Sequence, residues 1–365
     1  MKKILKLILK LILAKWYIKK PEKKFFLIYD REGEEILSFY LKKKSFEVLD
    51  VRYESINFYI LLFTIFNNGI VNLITNYKIN YIKAVSPKFV ITLIDNNLSF
   101  YKLKNIYKRT IFISIQNGRR DNIFFSQCHE YYLQRTERLS VDFFFALGNN
   151  EIKRYKKYID GKFYSLGSLK NNYFFLKKKL NKDSKKKVLF ISKKMNFLKG
   201  DQEILKFNTV YKYCQSKGYQ LSLCTRSTFF EEKYYRNRLI EGNWIYIPYS
   251  MQSSYRSINS ANLVVFSNST LGFEALIKKK RGVVFALDSK SFPIKDYVKK
   301  FPKTGPFWIS NYDERKGIKL LKKVENYSEY EWNSIIKKYI SDIISYNPGN
   351  KIFLKKLKNY KIYDK

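Results

Sequence analysis

Histidine and cysteine are nearly absent from this chain of 365 residues, which has one histidine and three cysteines. The single imidazole, His129, excludes a metal centre built from several histidines. Cys128, Cys214 and Cys224 form no Cys-x-x-Cys pair, which excludes a thiolate zinc site and a disulfide scaffold. We therefore expect a reduced cytoplasmic protein that has no metal site and uses no cofactor.

Acidic residues are also scarce, because 31 Asp and Glu stand against 71 Lys and Arg, for a formal net charge of +40. Such an excess is typical of proteins that bind nucleic acid, phospholipid or sugar phosphates. Lysine is spread along the whole chain with many Ile, Asn, Tyr and Phe, a composition that an AT-rich coding sequence also produces, so both explanations stay open. No arginine-rich tail, zinc finger or RNP-type motif is present, and we expect no nucleic-acid partner.

The first seventeen residues, MKKILKLILKLILAKWY, combine apolar residues with Lys3, Lys6 and Lys10 at helical spacing. The lysines interrupt the apolar run, so it is too short to span a bilayer and unlike a secretory signal. The pattern predicts an amphipathic, basic helix over residues 1–20 that lies on an anionic membrane surface, at the inner face of the cytoplasmic membrane. Packing of this helix on the protein's own core is the alternative.

From residue 25 onward, short apolar runs alternate with segments of helical periodicity. This alternation predicts an α/β protein of two Rossmann-like domains, each with a parallel sheet, that face a central cleft. The predicted domains are 21–170 and 188–327, with a linker at 171–187 and C-terminal helices at 328–365. The predicted strands are 25–29, 46–49, 89–94, 110–115, 143–147, 163–166, 188–192, 219–224, 244–248, 263–266 and 282–287.

The sequence has no GxGxxG, GxxxxGK[ST], HExxH, GxSxG or Asp-x-Asp motif. Asp30-Arg31-Glu32 is the nearest approach to an acidic pair, and we interpret it as a turn at a strand end. The clearest positive feature is a strand at 263–266 that runs into Ser267-Asn268-Ser269-Thr270 and a helix. Ser269 or Thr270 can cap this helix, its first amides can bind an anion, Gly272 admits a phosphate and Glu274 can reach a ribose. A strand–cap–helix unit without a ligand is the alternative.

The segment Leu263–Phe285 resembles the nucleotide-binding strand–turn–helix of two-domain, GT-B fold glycosyltransferases. It is more similar to the Asn-Ser-Thr-x-Gly-Phe-Glu-Ala-Leu segment of bacterial surface-carbohydrate and O-antigen biosynthesis proteins, a resemblance that extends to Ser114–Asp121 and Phe143–Asn172. It implies that Glu274 binds donor ribose and that Ser269, Thr270 and Gly272 bind donor pyrophosphate. Retaining enzymes often have a second Glu eight positions later; Gly282 stands there, which favours an inverting reaction. The missing Asp-x-Asp motif, which metal-dependent sugar transferases of the single-domain type normally have, favours a reaction without a metal ion.

The loop Gln116-Asn117-Gly118-Arg119-Arg120 follows a strand of the first domain, which in the resembled fold faces the acceptor. We expect Gln116 and Asn117 to bind sugar hydroxyls, and Arg119 and Arg120 to bind the phosphates of a lipid-diphosphate acceptor; a solvated polar turn is the alternative. An inverting transfer also needs a general base. The candidates, in the order of the chain, are Asp30, Asp95, Asp121 and His129.

Among these four, we choose Asp95 because it follows a strand, although it can equally be the N-cap of a helix. A lone histidine such as His129 is often structural. The sequence thus predicts a glycosyltransferase that moves a sugar from a nucleotide sugar to a glycan or lipid-linked surface-polysaccharide acceptor. A polyol-phosphate transferase of wall-polymer synthesis and a non-catalytic binding protein for nucleotide sugars or glycans are the alternatives.

Overall fold

The computed structural model describes residues 12–41, 45–52, 54–120, 122–174, 185–192, 200–225, 229–238, 242–248, 250–285 and 302–358. The chain divides into two compact units. Unit 1 comprises Met1–Leu147 and Glu151–Ser165, and unit 2 comprises Gly148–Asn150 and Leu166–Lys365. Each unit contains a six-stranded sheet in which all neighbouring strands are parallel. The predicted α/β class with two Rossmann-like sheets is therefore confirmed.

The sheet of unit 1 has the strand order β3-β2-β5-β6-β7-β8. Its strands consist mainly of Phe, Ile, Val and Leu, which suit a sheet covered on both faces. A separate two-stranded parallel sheet pairs β1 with β4, with Trp16 opposite Ile56. The strands are β1 Lys15–Tyr17, β2 Phe26–Tyr29, β3 Phe46–Leu49, β4 Ser55–Asn57, β5 Phe89–Thr92, β6 Ile111–Ile115, β7 Leu139–Ala146 and β8 Ile159–Ser165.

Two of the helices that follow these strands, α2 Phe58–Asn68 and α4 Leu98–Ile106, begin at side-chain caps. Asn57 accepts a hydrogen bond from the amide of Ile60, and Asn97 accepts one from that of Ser99, both at 3.0 Å. Phe100, Tyr101 and Phe144 are among the aromatic side chains that fill the core beneath. The helices are α1 Glu34–Leu37, after a 3-10 turn at Arg31–Gly33, α2 Phe58–Asn68, α3 Leu73–Val85, α4 Leu98–Ile106, α5 Asn122–Arg135 and α6 Asn149–Tyr155.

The sheet of unit 2 has the strand order β11-β10-β9-β12-β13-β14. The two central strands, β9 and β12, are buried along their apolar residues, with Leu189 opposite Val264. The strands are β9 Lys187–Ile191, β10 Gln220–Cys224, β11 Trp244–Ile247, β12 Leu263–Phe266, β13 Arg281–Phe285 and β14 Trp308–Ile309. The helices are α7 Leu169–Tyr173, α8 Gly200–Lys217, α9 Phe229–Arg238, α10 Met251–Ser260, α11 Thr270–Ile277, α12 Glu314–Asn326, α13 Glu329–Tyr339 and α14 Lys351–Lys358.

Two predicted segments differ from the structure. Met1–Leu11 of the predicted N-terminal helix lie outside the described residues, but its end at Lys15–Tyr17 is the strand β1 and not helix. Trp16 and Tyr17 are aromatic residues that favour strands, and pairing with β4 outweighs the local helical pattern. The predicted linker at 171–187 begins inside α7 and ends at the first residue of β9, and residues 175–184 lie outside the described part.

Candidate functional site

Three aspartates follow strands of the first sheet, at the edge where the strands end. Asp30 comes after β2, Asp50 after β3 and Asp95 after β5, and all three are buried. Each accepts hydrogen bonds from two nitrogens of an arginine, so this edge is built on charge-assisted pairs in which the carboxylate is buried. The pairs are Asp30 with Arg52 (Nε at 2.6 Å), Asp50 with Arg31 (3.0 and 2.9 Å) and Asp95 with Arg120 (Nε at 2.7 Å).

Asp95 is fully buried, and both of its carboxylate oxygens are occupied. Besides Arg120, the amide of Asn117 donates to Oδ1 at 3.0 Å and the hydroxyl of Tyr155 donates to Oδ2. Burial and then the nearby carboxylate raise the pKa of Tyr155 well above its ordinary value, which keeps this donor protonated. A general base needs access to the substrate and a free lone pair. The prediction of Asp95 as the base therefore does not fit the geometry; Asp95 holds the loop after β6 in position.

Arg120 and Gln116, which we expected to bind the acceptor, are likewise engaged within unit 1. Burial alone would lower the pKa of Arg120, but the carboxylate of Asp95 outweighs it and raises that pKa above its ordinary value. The buried amide of Gln116 donates to Glu151 at 2.9 Å and accepts from the amide of Leu147 at 2.9 Å. These side chains stabilise the loop instead of facing a ligand. Asn117 and Arg119 of the same loop are partly exposed.

Glu32 is a further carboxylate at this edge that was not predicted from the sequence, and its side chain is 41% exposed. Asn117 Nδ2 donates to its Oε1 at 3.1 Å, and Arg52 Nη2 donates to its Oε2 at 2.9 Å. Glu32 is thus a carboxylate that is held by two neighbours yet still reaches solvent. Its signal was the Asp30-Arg31-Glu32 run directly after a predicted strand, which we interpreted only as a turn.

The other candidates for a base in unit 1 have different positions. His129 is exposed on α5, where its ring lies edge-on to Tyr158 with 6.1 Å between centroids, as expected of the structural alternative. Asp121 lies outside the described residues. Within the described part of the chain, no three His, Cys, Asp or Glu side chains are close enough to hold a metal ion. The three cysteines are buried.

In unit 2, the predicted strand–turn–helix at Ser269 is present, with one departure. Ser269 is the N-cap of α11 and has extended backbone angles (φ −94°, ψ 133°), but its hydroxyl caps none of the helix amides. The preceding helix, α10, begins in contrast with a complete capping box between Ser250 and Ser253. Residues 268–271 are partly exposed. The first turn of α11 is therefore an accessible helix start without a cap from its N-cap side chain.

Gly272 packs against the strand β12, a contact that the sequence did not predict. A Cβ atom at this position would lie 2.3 Å from ring atoms of Phe266, in the strand β12. The missing side chain lets α11 pack closely on β12, and the space in front of this α-carbon is filled by an aromatic ring. The packing concerns the side on which a Cβ atom would lie, and the approach of a phosphate to the backbone at Gly272 stays a prediction.

Glu274 is also buried, although we expected its carboxylate to reach a ribose. The hydroxyl of Tyr255 on α10 donates to its Oε2 at 2.6 Å, and Ser168, the N-cap of α7, is a second hydrogen-bond partner. Burial raises the pKa of Glu274 above its ordinary value. Its backbone oxygen accepts from Asn171 at 3.2 Å. Glu274 thus ties α11 to α10 and α7, so a ribose contact does not fit this arrangement.

A buried polar cluster of Glu203, Lys206 and Ser267 was also missed. Ser267, directly after β12, donates to Glu203 Oε1 at 2.6 Å, and Lys206 Nζ lies 3.2 Å from both partners. Lys206 is 1% exposed. Glu203 Oε2 is buried and has no hydrogen-bond partner among the residues that the structure describes, which leaves an acceptor unmet within that part of the chain, beside the turn into α11. Glu203 and Lys206 are three residues apart on α8, and acid–base pairs at this spacing are too common on helices for the sequence alone to single them out.

Several solved structures resemble this chain. UDP-GlcNAc 2-epimerase from Neisseria meningitidis bound to UDP-GlcNAc has a TM-score of 0.55 at 11% identity, over 92% of this chain and 100% of that one. MnaA from S. aureus with UDP has a TM-score of 0.53 at 12% identity, over 93% and 97%. A variant of the wall teichoic acid polymerase TagF has a TM-score of 0.56 at 13% identity, over 94% and 90%. At such identities the likeness establishes the fold alone, which is the predicted GT-B-like fold.

The sequence comparisons address the family. No curated protein matches the chain. Residues 111–206 and 196–361 match the model of a protein family described as "putative O-antigen biosynthesis protein". The match spans well over half of the chain and includes both the loop after β6 and the strand–turn–helix at Ser269. The chain therefore belongs to this family of O-antigen biosynthesis proteins.

Proposed function

We propose that this protein is a glycosyltransferase that moves a sugar from a nucleotide sugar to an O-antigen or other surface-polysaccharide acceptor, by inversion and without a metal ion. Membership of an O-antigen biosynthesis family supports the pathway. The GT-B-like fold, shared with proteins solved with UDP and UDP-GlcNAc, supports a nucleotide-sugar partner. We assign binding of the donor and removal of the acceptor proton to separate groups of residues.

The observation that carries the proposal is the accessible start of α11 beside a buried cation. Amides at a helix start carry about half a positive charge and bind phosphate groups. Ser269 caps none of these amides, and Lys206 lies one hydrogen bond from Ser267 in the same turn. We assign the donor diphosphate to this helix start, where the positive potential also stabilises the leaving nucleotide.

We assign the general base to Glu32. It is an exposed carboxylate at the edge of the first sheet, and Asn117 and Arg52 fix its orientation. In the transfer, the acceptor oxygen bonds to the anomeric carbon of the donor sugar while its proton passes to Glu32. The bond from that carbon to the phosphate oxygen breaks, and its electron pair leaves with the nucleotide. Asp95 and Arg120 act indirectly, because they position the loop that carries Asn117.

The test introduces a negative charge where the donor diphosphate is expected. Aspartate is a good N-cap, so Ser269→Asp keeps α11 folded and repels an anion. We expect the affinity for nucleotide sugars, measured by calorimetry with UDP-, GDP-, CDP- and CMP-sugars and no added metal, to fall by about tenfold or more, which is about 1.4 kcal/mol. Ser250→Asp, the same change at the N-cap of α10, is the matched control and leaves the affinity unchanged.

Other outcomes separate the alternatives. Equal affinity in both variants contradicts the assignment of the diphosphate to α11. A protein that interconverts its nucleotide sugar in the absence of any acceptor is an epimerase, the activity named for several structures that share the fold. A protein that binds nucleotide sugars but transfers nothing to surface-polysaccharide acceptors is the non-catalytic binder. Transfer of a polyol phosphate instead of a sugar supports the wall-polymer alternative, whose fold likeness is to TagF.

A further inference from the structure

Helix α2 in unit 1 is apolar on its exposed side as well as on its buried side. Ile60 and Thr64 are buried, whereas Phe63 is 46% exposed and Phe66 is 83% exposed. The apolar surface continues into the turn after the helix, where Ile70 is 76% exposed. Exposed aromatic and aliphatic residues of this size rarely form a continuous surface unless something covers it.

The strand β1 extends this surface on the other side of α2. β1 pairs with β4, which leads directly into α2, and the rings of Trp16 and Phe58 meet edge-on with 6.1 Å between centroids. Asn57 Nδ2 donates to the backbone oxygen of Lys19 at 2.8 Å, which holds the chain after β1 against the start of α2. We call the exposed apolar side chains of Trp16, Tyr59, Phe63, Phe66, Ile70 and Val71 the α2 patch.

Positive charge borders the α2 patch, and acidic residues are missing from its sequence. Residues 12–21 contain three lysines and no Asp or Glu, and residues 55–94 contain no Asp or Glu either. Lys15, Lys19 and Lys20 are exposed, and Lys20 Nζ lies 5.9 Å from the ring centroid of Tyr59. Aromatic rings beside lysines are typical of surfaces that lie at the headgroup level of an anionic bilayer.

The helices themselves indicate how such a surface meets a membrane. Among the described residues no single helix is long and apolar enough to cross a bilayer, but α2 and α3 pass that test together as a pair bent by 116°. α3 contributes Tyr81, Ile82 and Val85 to the core of unit 1. The apolar surface that this pair leaves exposed is therefore mainly that of α2 and its following turn, together with Ile74 at the start of α3, which is 49% exposed. This distribution favours a patch that lies on a membrane and does not cross it.

We infer that the α2 patch docks unit 1 on an anionic lipid bilayer, with its aromatic side chains inserted at the interface and the lysines around β1 against the headgroups. This surface belongs to the folded unit, whereas the sequence predicted a helix over residues 1–20 as the contact. The inference does not depend on which reaction the protein catalyses, so it can fail or succeed independently of the proposed transferase.

The test is flotation of the full chain with lipid vesicles. We expect binding to vesicles that contain phosphatidylglycerol and about tenfold less binding to vesicles of phosphatidylcholine alone. The double variant Phe63→Ser/Phe66→Ser is expected to lower the partition onto anionic vesicles by about tenfold or more, since two exposed rings no longer insert. Ile123→Ser/Leu133→Ser, at positions of α5 that are 67% and 64% exposed, is the matched control and keeps wild-type binding.

Three results would overturn the inference. One is wild-type flotation of the Phe63→Ser/Phe66→Ser variant, and the second is equal binding to neutral and anionic vesicles. The third is a wild-type dimer in light scattering that the double serine variant converts to a monomer without loss of flotation, because a second copy then covers the patch. Deletion of residues 1–11 is expected to leave flotation that still depends on Phe63 and Phe66.

Discussion

At the edge of the first sheet, three buried aspartates are each paired with an arginine. In the second sheet, the turn after β12 carries hydroxyl groups, and that of Ser267 contacts the buried pair of Glu203 and Lys206 on α8. In the first sheet the paired charges satisfy one another, and Glu32 is the carboxylate that reaches solvent among those described above. In the second, Glu203 Oε2 has no hydrogen-bond partner among the described residues, and the hydroxyl of Ser269 caps none of the amides of α11. The difference teaches that charged residues at a strand end can serve only to stabilise the fold. Ligand sites are better sought where polar groups lack hydrogen-bond partners within the protein.

Removal of Asp95 should have the largest effect, because it breaks the scaffold of the first edge. Asp95→Ala leaves the guanidinium of Arg120 largely buried without its carboxylate, which is expected to lower the free energy of unfolding by about 3–5 kcal/mol. Asp160→Ala, which breaks the exposed pair with Arg138, is the control and should cost less than about 1 kcal/mol. Denaturant unfolding measures both. Similar small losses in the two variants would show that Asp95 is no part of the scaffold.

Glu32→Gln separates catalysis from scaffold at the same edge. Glutamine keeps an oxygen and an amide at this position but cannot take up a proton at neutral pH, so kcat is expected to fall by about 100-fold or more. Affinity for the nucleotide sugar and unfolding midpoint should stay as in the wild type, because the bonds of Glu32 to Asn117 and Arg52 are at the surface. A transfer assay and calorimetry measure the two effects. Unchanged kcat would remove Glu32 from the reaction.

Gly272→Ala tests the packing of α11 on the strand β12. The new methyl group would lie 2.3 Å from the ring of Phe266, and relief of that overlap should cost about 1–3 kcal/mol of unfolding free energy. Phe266→Leu in the same background should recover part of this loss. Gly317→Ala on α12 is the matched control, because its Cβ would lie 3.3 Å from Phe285 and alanine favours helix. A Gly272→Ala protein as stable as wild type would mean that the ring moves aside freely.

The sequence was sufficient to predict most strands of the two sheets but not the roles of the site residues. Apolar runs such as those that became β3 and β12 predicted strands with the observed bounds, because a strand covered on both faces has a continuous hydrophobic pattern. The roles of Asp95 and Glu274 were not predictable, because burial and the presence of Arg120 or Tyr255 arise only when distant segments meet. The strand β1 was missed for a related reason, since its pairing with β4 overrides a local helical pattern.

Glu274→Gln should have the smallest effect on the free energy of unfolding, and this effect should be seen only above acidic pH. Burial raises the pKa of Glu274 in the folded protein above the ordinary value of 4.5, so the folded state holds this proton more tightly than the unfolded state. The stability that this preference provides is complete below pH 4.5 and is lost as the pH rises through the folded pKa. Glutamine is neutral at every pH and can still accept from Tyr255. Urea unfolding at pH 4 and pH 8 should therefore show a smaller decrease of stability for Glu274→Gln than for the wild type. Parallel pH profiles would indicate that Glu274 is as well solvated in the folded protein as in the unfolded chain.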